Sequence, residues 1–154
     1  MLMEDSKHVI DDFKITDLIP HRPPFLWVDS MLEYESSTLI TEKKIPADLD
    51  VFQGHYPNHP ILPGVLLCEA LFQTGALLIA LLQKESDQAP DGVPVITRVE
   101  GVKFKRPVYP GDTIRMKVSL KENLGGAWFL KGTLRVDDKV AVQTNFACTL
   151  AQIA

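Results

Sequence analysis

The chain has 154 residues, which suits one domain built around one core, and we expect that domain to span residues 1–154. Hydrophobic residues make up 45% of the sequence and charged residues 23%, a balance typical of globular proteins. The net charge of −4 and the lack of a basic stripe with interleaved aromatic residues exclude a chain adapted to bind nucleic acid.

The two cysteines, Cys68 and Cys148, lie far apart in apolar runs, and neither has a C-x-x-C partner. This usage predicts reduced thiols and a cytoplasmic location. The first seven residues lack the basic-then-apolar order of a signal peptide, so we expect no secretory leader.

The first third of the chain is predicted to contain short elements. Residues 15–19 are expected to form a helical turn that ends before Pro20. Residues 25–31 and 38–45 are predicted strands. Residues 52–64 contain three prolines and two glycines, which indicates an irregular loop suited to holding functional side chains.

A long helix is predicted next. Pro63 suits its first turn, and we expect the helix to end near Lys84. Residues 65–82 are mostly apolar and, by length alone, could cross a membrane. Polar residues such as Glu69 and Gln73 interrupt the run, and flanking basic clusters are lacking. The pattern therefore predicts a buried central helix and no membrane span.

The C-terminal half reads as strands, after a loop predicted at residues 86–94. Apolar and polar residues alternate with a period of two, which is typical of half-buried strands. The predicted strands are residues 102–106, 114–121, 128–136 and 140–150, with turns at 123–126 and 137–139. Short turns imply antiparallel neighbours. We expect an α+β fold in which an antiparallel sheet wraps around the long central helix.

Four residues stand out as candidates for chemistry: His55, Gly64, Glu69 and Gln73. Glu69 and Gln73 are four residues apart and should share one helix face. A carboxyl group in so apolar a helix is costly unless it has a partner. The alternative is an exposed glutamate that the helix dipole favours. His55 has a structural alternative as well, in which it bonds to the loop backbone.

Metal and nucleotide sites are not predicted. His55 and His59 are four residues apart, but the intervening and following prolines keep them off a helix, so we expect no metal site. The sequence has no G-x-S-x-G, P-loop or G-x-G-x-x-G motif, so a serine nucleophile or a nucleotide cofactor has no support.

Three stretches carry a family resemblance: residues 19–29 (IPHRPPFLWVD), 54–73 (GHYPNHPILPGVLLCEALFQ) and 103–112 (KFKRPVYPGD). In order and spacing they resemble the bacterial (3R)-hydroxyacyl-[acyl-carrier-protein] dehydratases of the FabZ type, of which FabA is a relative. The second stretch is the specific one. The chain departs from the family pattern at Pro23, Asn58 and Phe72, which affects the expected tunnel shape and preferred acyl chain.

The resemblance implies a hot-dog fold and a catalytic pair, with His55 as the histidine and Glu69 as the acid. It implies that the backbone N–H of Gly64 meets the thioester carbonyl. It also implies a homodimer, or three dimers in a hexamer, whose sites each take His from one subunit and Glu from the other. The expected partner is acyl carrier protein with a 3-hydroxyacyl-phosphopantetheine, and no cofactor is expected. Candidate substrate-binding residues are Gly64, Val65, Gln73, Phe52 and Phe104, with core packing as the alternative for the aromatic residues.

These residue types suit dehydration of a (3R)-3-hydroxyacyl-carrier thioester to the trans-2-enoyl product in fatty acid biosynthesis. Neutral His55 would remove the proton alpha to the carbonyl. The helix start at Gly64 would stabilise charge on the carbonyl oxygen. Glu69 would protonate the leaving hydroxyl, and an apolar setting favours the neutral form that this needs.

Three alternatives stay open. One is a hot-dog acyl thioesterase, and another is a specialised dehydratase of a polyketide or accessory lipid pathway. The third is an acyl-binding module without catalysis. A basic cluster, composed of Arg98, Lys103, Lys105 and Arg106, is predicted to dock the acidic carrier, and a solvated strand face is its alternative.

Overall fold

The computed structural model describes residues 9–87 and 92–152. In chain order the elements are α1 (Ile15–Leu18), β1 (Ser30–Glu35), β2 (Thr38–Lys44), α2 (Val51–Gly54), α3 (Gly64–Glu85), β3 (Val93–Phe104), β4 (Thr113–Leu124), β5 (Ala127–Val136) and β6 (Lys139–Ala151).

The six strands form one antiparallel sheet in the order β1-β2-β4-β5-β6-β3. Short turns join β4 to β5 and β5 to β6, as predicted. Helix α3 packs against this sheet and contributes much of the core. The α+β hot-dog architecture, with a sheet around a long central helix, is therefore confirmed.

Helix α3 has the length and composition of a membrane span, but it is a core helix. Its most apolar window of 18 residues has a mean hydropathy of 2.1, and 67% of that window is buried inside the molecule. The prediction of a buried central helix is confirmed. Because the sheet covers it, the helix can be apolar on most of its faces.

Two glycines let α3 approach the sheet closely. A Cβ atom on Gly75 would lie 2.8 Å from the ring of Phe146, and one on Gly132 would lie 3.3 Å from the same ring. The Phe146 ring therefore occupies the space that side chains at these two positions would need. Phe72 packs edge-on against it, with 5.0 Å between ring centroids.

The prediction of a strand at residues 25–31 was wrong for most of that range, because β1 begins only at Ser30. The apolar run reflects burial of Trp27 and Val28 rather than strand pairing. The backbone there is bonded to a side chain of α3: Trp27 N–H donates to Gln73 Oε1 at 2.7 Å, and Phe25 C=O accepts from Gln73 Nε2 at 2.9 Å.

Three further boundaries differ from the predictions. Strand β3 begins at Val93, inside the predicted loop at 86–94, and ends at Phe104. Of that loop, residues 88–91 lie outside the described residues. The segment predicted as wholly irregular shares residues 52–54 with the helical turn α2. Pro63 is the N-cap of α3 rather than part of its first turn.

Candidate active site

His55 follows α2 directly and is fixed by the loop that leads to α3. Its Nδ1 lies 2.9 Å from the carbonyl oxygen of Ile61. A carbonyl oxygen can only accept, so Nδ1 must donate this hydrogen bond. In the neutral ring the proton is then on Nδ1, and Nε2 carries the lone pair. His55 therefore bonds to the loop backbone, as its structural alternative proposed, yet the same bond prepares Nε2 to act as a base.

The start of α3 is packed against the end of β3. A Cβ atom on Gly64 would lie 2.7 Å from the ring of Phe104, so a side chain at this position would require the ring to shift. The N–H groups of Leu66 and Leu67 donate to the Pro63 carbonyl. Within the described chain, the N–H group of Gly64 has no backbone acceptor, as expected for the first residue of a helix.

A cavity of about 490 Å³ opens at this junction, a volume within the usual range for small-molecule sites. Three of the predicted substrate-binding residues line it together: Gly64, Val65 and Phe104. The other lining residues are Ile61, Leu62, Leu67, Lys105, Arg106 and Pro107. The cavity thus combines apolar walls with two cations.

Glu69 and Gln73 share one helix face, as predicted. Gln73 Nε2 donates to Glu69 Oε1 at 3.1 Å. The orientation of the Gln73 amide is fixed, because its oxygen accepts from Trp27 N–H and its nitrogen donates to Phe25 C=O. Glu69 Oε1 must therefore be an acceptor. When the carboxyl group is protonated, the proton resides on Oε2.

His21, which was not among the predicted site residues, also contacts Glu69. Its Nε2 lies 3.6 Å from Glu69 Oε1, and the two side chains are 26% and 22% exposed. His21 and Glu69 are 48 residues apart in sequence, so no helix or strand period could pair them. The available sequence signal for His21 is its place in the family-like stretch at residues 19–29. That stretch does not indicate that His21 contacts Glu69.

The thiol beside Glu69 is not suited to act as a nucleophile. Burial raises the pKa of Cys68, and the neighbouring Glu69 carboxylate raises it further. Cys68 therefore stays protonated near neutral pH, and the thiol form is a weak nucleophile. Among residues 9–87 and 92–152, no three His, Cys, Asp or Glu side chains cluster closely enough to hold a metal ion.

The two predicted catalytic side chains make no direct polar contact in the described part of this one chain. His55 and Glu69 share no hydrogen bond or ion pair there, since their contacts are with Ile61 and Tyr56 on one side and with Gln73 and His21 on the other. Phe52, predicted to bind substrate, has its side chain buried in the core.

Comparison with protein families gives one match that covers most of the chain. A family model described as a FabA-like domain matches residues 19–145. A 3-hydroxyacyl-[acyl-carrier-protein] dehydratase FabZ of Anaeromyxobacter dehalogenans (strain 2CP-C) is 38% identical over 148 residues, covering 96% of this chain and 94% of the relative. The protein of that name from Janthinobacterium sp. (strain Marseille) is 40% identical over 147 residues, with coverages of 94% and 92%.

Solved structures show the same fold at low sequence identity. The dehydratase heterocomplex ApeI:P from Xenorhabdus doucetiae matches with a TM-score of 0.78 and 15% identity, covering 91% of this chain and 92% of that one. The PaaI protein from the phenylacetic acid degradation operon of E. coli matches with a TM-score of 0.61 and 10% identity, with coverages of 77% and 80%. At these identities the likeness concerns the fold alone.

Proposed function

This chain belongs to the FabA-like family, and we propose that it converts (3R)-3-hydroxyacyl thioesters on acyl carrier protein to trans-2-enoyl thioesters. The relatives that cover nearly all of the chain are named as dehydratases of this kind. The observation that carries the proposal is the state of the two catalytic candidates. His55 Nε2 has no hydrogen-bond partner among the described residues, and Glu69 is held by one oxygen so that its other oxygen can carry a proton.

In the proposed mechanism, His55 Nε2 takes the proton alpha to the thioester carbonyl. The electron pair of that C–H bond forms the double bond, and negative charge develops on the carbonyl oxygen. The N–H groups at the start of α3, at Gly64 and Val65, stabilise this charge. Glu69 Oε2–H protonates the hydroxyl on the beta carbon, which leaves as water. A proton then returns from His55 to Glu69 through solvent, and the site is reset.

We propose that two chains form each site, because the two catalytic side chains share no hydrogen bond or ion pair within the described part of one chain. Strand β3 lies at a sheet edge, and its residues Ile96, Val99 and Phe104 are 38%, 42% and 58% exposed. A long apolar edge strand readily pairs with another strand. Pairing of β3 with its own copy would create a two-fold dimer with two equivalent sites. A trimer of such dimers stays a prediction, as does the cytoplasmic location.

The same cavity suggests where the carrier docks. Lys105 and Arg106 line the cavity beside Gly64, and both are exposed. Acyl carrier proteins are acidic, so we propose that these two cations bind the carrier while its prosthetic group enters the cavity. Arg98 is placed differently, since it lines another pocket and pairs with Glu100 at 3.6 Å. The carrier-binding role is therefore proposed for Lys105 and Arg106.

The test of function is turnover of 3-hydroxyacyl-carrier protein, followed by the absorbance of the enoyl thioester. His55→Ala and Glu69→Gln should each lower turnover at least about 100-fold while the protein still folds and associates. Near-normal dehydration by either variant would contradict the assigned roles. Release of free thiol without an enoyl product would instead indicate a thioesterase, and no turnover by the unaltered chain would indicate an acyl-binding module.

The shared site is tested by co-expressing the His55→Ala and Glu69→Gln chains. A mixed dimer would have one site with both native residues and one site with neither. Random assembly makes about half of the dimers mixed, so about a quarter of all sites should regain activity. The two variants purified separately and mixed without subunit exchange serve as the control. If tagged mixed dimers form and stay inactive, each site uses His55 and Glu69 of the same chain.

A further inference from the structure

The Glu69 carboxyl group is held on one side only. Both of its polar contacts are to Oε1: the hydrogen bond from Gln73 Nε2 at 3.1 Å and the approach of His21 Nε2 to 3.6 Å. Oε2 makes no hydrogen bond or ion pair with any described residue. Oε1 is therefore held by neighbouring side chains, whereas Oε2 is available to a substrate.

His21 is held in place by its own loop. The guanidinium group of Arg22 donates to the carbonyl oxygens of Ile19, His21 and Thr16 at 2.8, 2.7 and 2.9 Å. Phe25 N–H donates to the Arg22 carbonyl at 2.9 Å, and Gln73 joins the next residues of the loop to α3. The imidazole therefore stands beside Glu69 on a segment with a fixed backbone.

The approach of Nε2 to Glu69 indicates which nitrogen of the His21 ring carries the proton. Its Nδ1 is buried and has no hydrogen-bond partner among the described residues. A proton there would be a donor without an acceptor, and a lone pair there would be an acceptor without a donor, so Nδ1 itself favours neither tautomer. A proton on Nε2 instead points toward the carboxyl oxygen of Glu69. The neutral ring is thus best placed as a second N–H donor to Oε1.

We propose that His21 is a positioning residue that, together with Gln73, holds Oε1 of Glu69 so that the acid proton resides on Oε2. This role rests on the proposed function of Glu69 as the acid. At 3.6 Å the His21 contact is longer than a hydrogen bond. When Glu69 gives its proton to the leaving hydroxyl, the negative charge that remains draws the Nε2–H group closer, since catalytic hydrogen bonds tighten as the reaction proceeds. His21 would then favour the transition state more than the bound substrate.

The test compares two amide side chains at position 21. The nitrogen of Gln lies near the position of His Nε2, whereas the nitrogen of Asn lies near that of Nδ1. His21→Asn should lower kcat about 10-fold or more and leave KM within about twofold, because a hydrogen bond to a charged group is lost. His21→Gln should restore most of kcat. His59→Asn is the matched control, because His59 is exposed and its ring packs against Tyr109, so its kcat should stay within about twofold.

A double-mutant cycle shows whether His21 acts through Glu69. In the Glu69→Gln background, His21→Asn should have almost no further effect on kcat, since the carboxylate that it supports is gone. An equal loss in both backgrounds, or an unchanged kcat for His21→Asn, would overturn the role of His21. A Glu69→Gln variant with near-normal turnover would overturn the proposed function instead, so the two failures are distinguishable.

The folded state of each variant is checked by its melting temperature. If His21→Asn does not fold, His21→Ala takes its place in the same comparison. If both lose the native fold while His21→Gln keeps it with full kcat, His21 is a structural residue and the proposal is wrong.

Discussion

Strands β3 and β4 have the same length of 12 residues and belong to the same sheet, yet their environments differ. In β4, exposed and buried residues alternate from Thr113 to Val118, so one face of the strand is covered and the other meets solvent. In β3, no residue is buried, and the exposed set includes the apolar Ile96 and Val99. Strand β4 thus has a buried face within a single chain, whereas β3 has no buried residue.

The difference follows from position in the sheet. Strand β4 lies between β2 and β5, whereas β3 pairs only with β6 and ends beside the cavity at Gly64. An edge strand with exposed apolar residues invites pairing with another chain. The part of the sheet that is least complete in one chain is thus the part next to the site. This supports the proposal that a second copy of the chain completes both the sheet edge and the site.

The largest effect is expected from a charge placed on the β3 edge. Val99→Asp should give a monomer with at least about 100-fold less activity, because pairing of β3 with its copy would bury a new carboxylate from each chain. Lys117→Asp, on the exposed face of β4, is the control and should keep both the dimer and its activity. Mass by light scattering and enoyl formation measure the two properties. An active dimer of the Val99→Asp variant would show that β3 is not the interface.

A second prediction concerns the interior face of β4. Met116 is fully buried, so Met116→Ala should lower the free energy of unfolding by about 2–5 kcal/mol. The matched change in β3, Val99→Ala, should cost the single chain less than about 1 kcal/mol, because the Val99 side chain is partly exposed there. Any larger loss should come from weaker pairing of two chains and should therefore depend on protein concentration. Denaturant unfolding at several protein concentrations gives both values, since association contributes to apparent stability. Equal losses would mean that β3 is as well packed as β4.

The same contrast explains how much of the fold the sequence could predict. Alternation is a local signal, and it predicted β4, β5 and β6 and their turns. Residues 93–101 of β3 were missed because none of them is fully buried within the chain, so burial does not impose a period of two on them. The run at 25–28 was misassigned because its backbone bonds to Gln73 rather than to a strand, and a contact 46 residues away leaves no local pattern.

The candidate site divides in the same way. The pairing of Glu69 with Gln73 follows from helix geometry, so the sequence could predict it. The position of Phe104 against Gly64 and of His21 against Glu69 depends on how distant segments pack, and only the three-dimensional structure brings them together. The family resemblance named the residues that are proposed to react, without indicating which neighbours hold their side chains in place.

A smaller effect is expected where α3 meets the well-packed strands. Gly75→Ala should lower the free energy of unfolding by about 1–3 kcal/mol, because the new Cβ would lie 2.8 Å from the Phe146 ring. Gly54→Ala is the control, since a Cβ there would meet nothing within 4 Å. Its stability should change by less than about 0.5 kcal/mol. If Gly75→Ala is equally mild, Phe146 can move aside and the contact between helix and sheet is looser than the distances indicate.

The smallest effect is expected from reversing surface charges, and it compares the cations that follow β3 with those on β4 and β5. Lys105→Glu with Arg106→Glu should raise KM for the carrier-bound substrate about 10-fold, since these cations stand at the cavity. A short thioester that lacks the carrier should keep its KM, because the reacting groups are untouched. Lys117→Glu with Lys131→Glu makes the same change in net charge on the exposed face of β4 and β5. If docking depends on position, this pair should leave KM within about twofold.

Salt gives an independent reading of the same interaction. Exposed charges are screened within about 10 Å at 0.1 M salt, so raising the ionic strength should increase KM of the unaltered protein for the carrier substrate. The Lys105→Glu/Arg106→Glu variant should lose most of that dependence, and the control pair should keep it. Equal effects of both pairs would mean that the carrier responds to the net charge of the whole chain. The cations beside the cavity would then have no special part in docking.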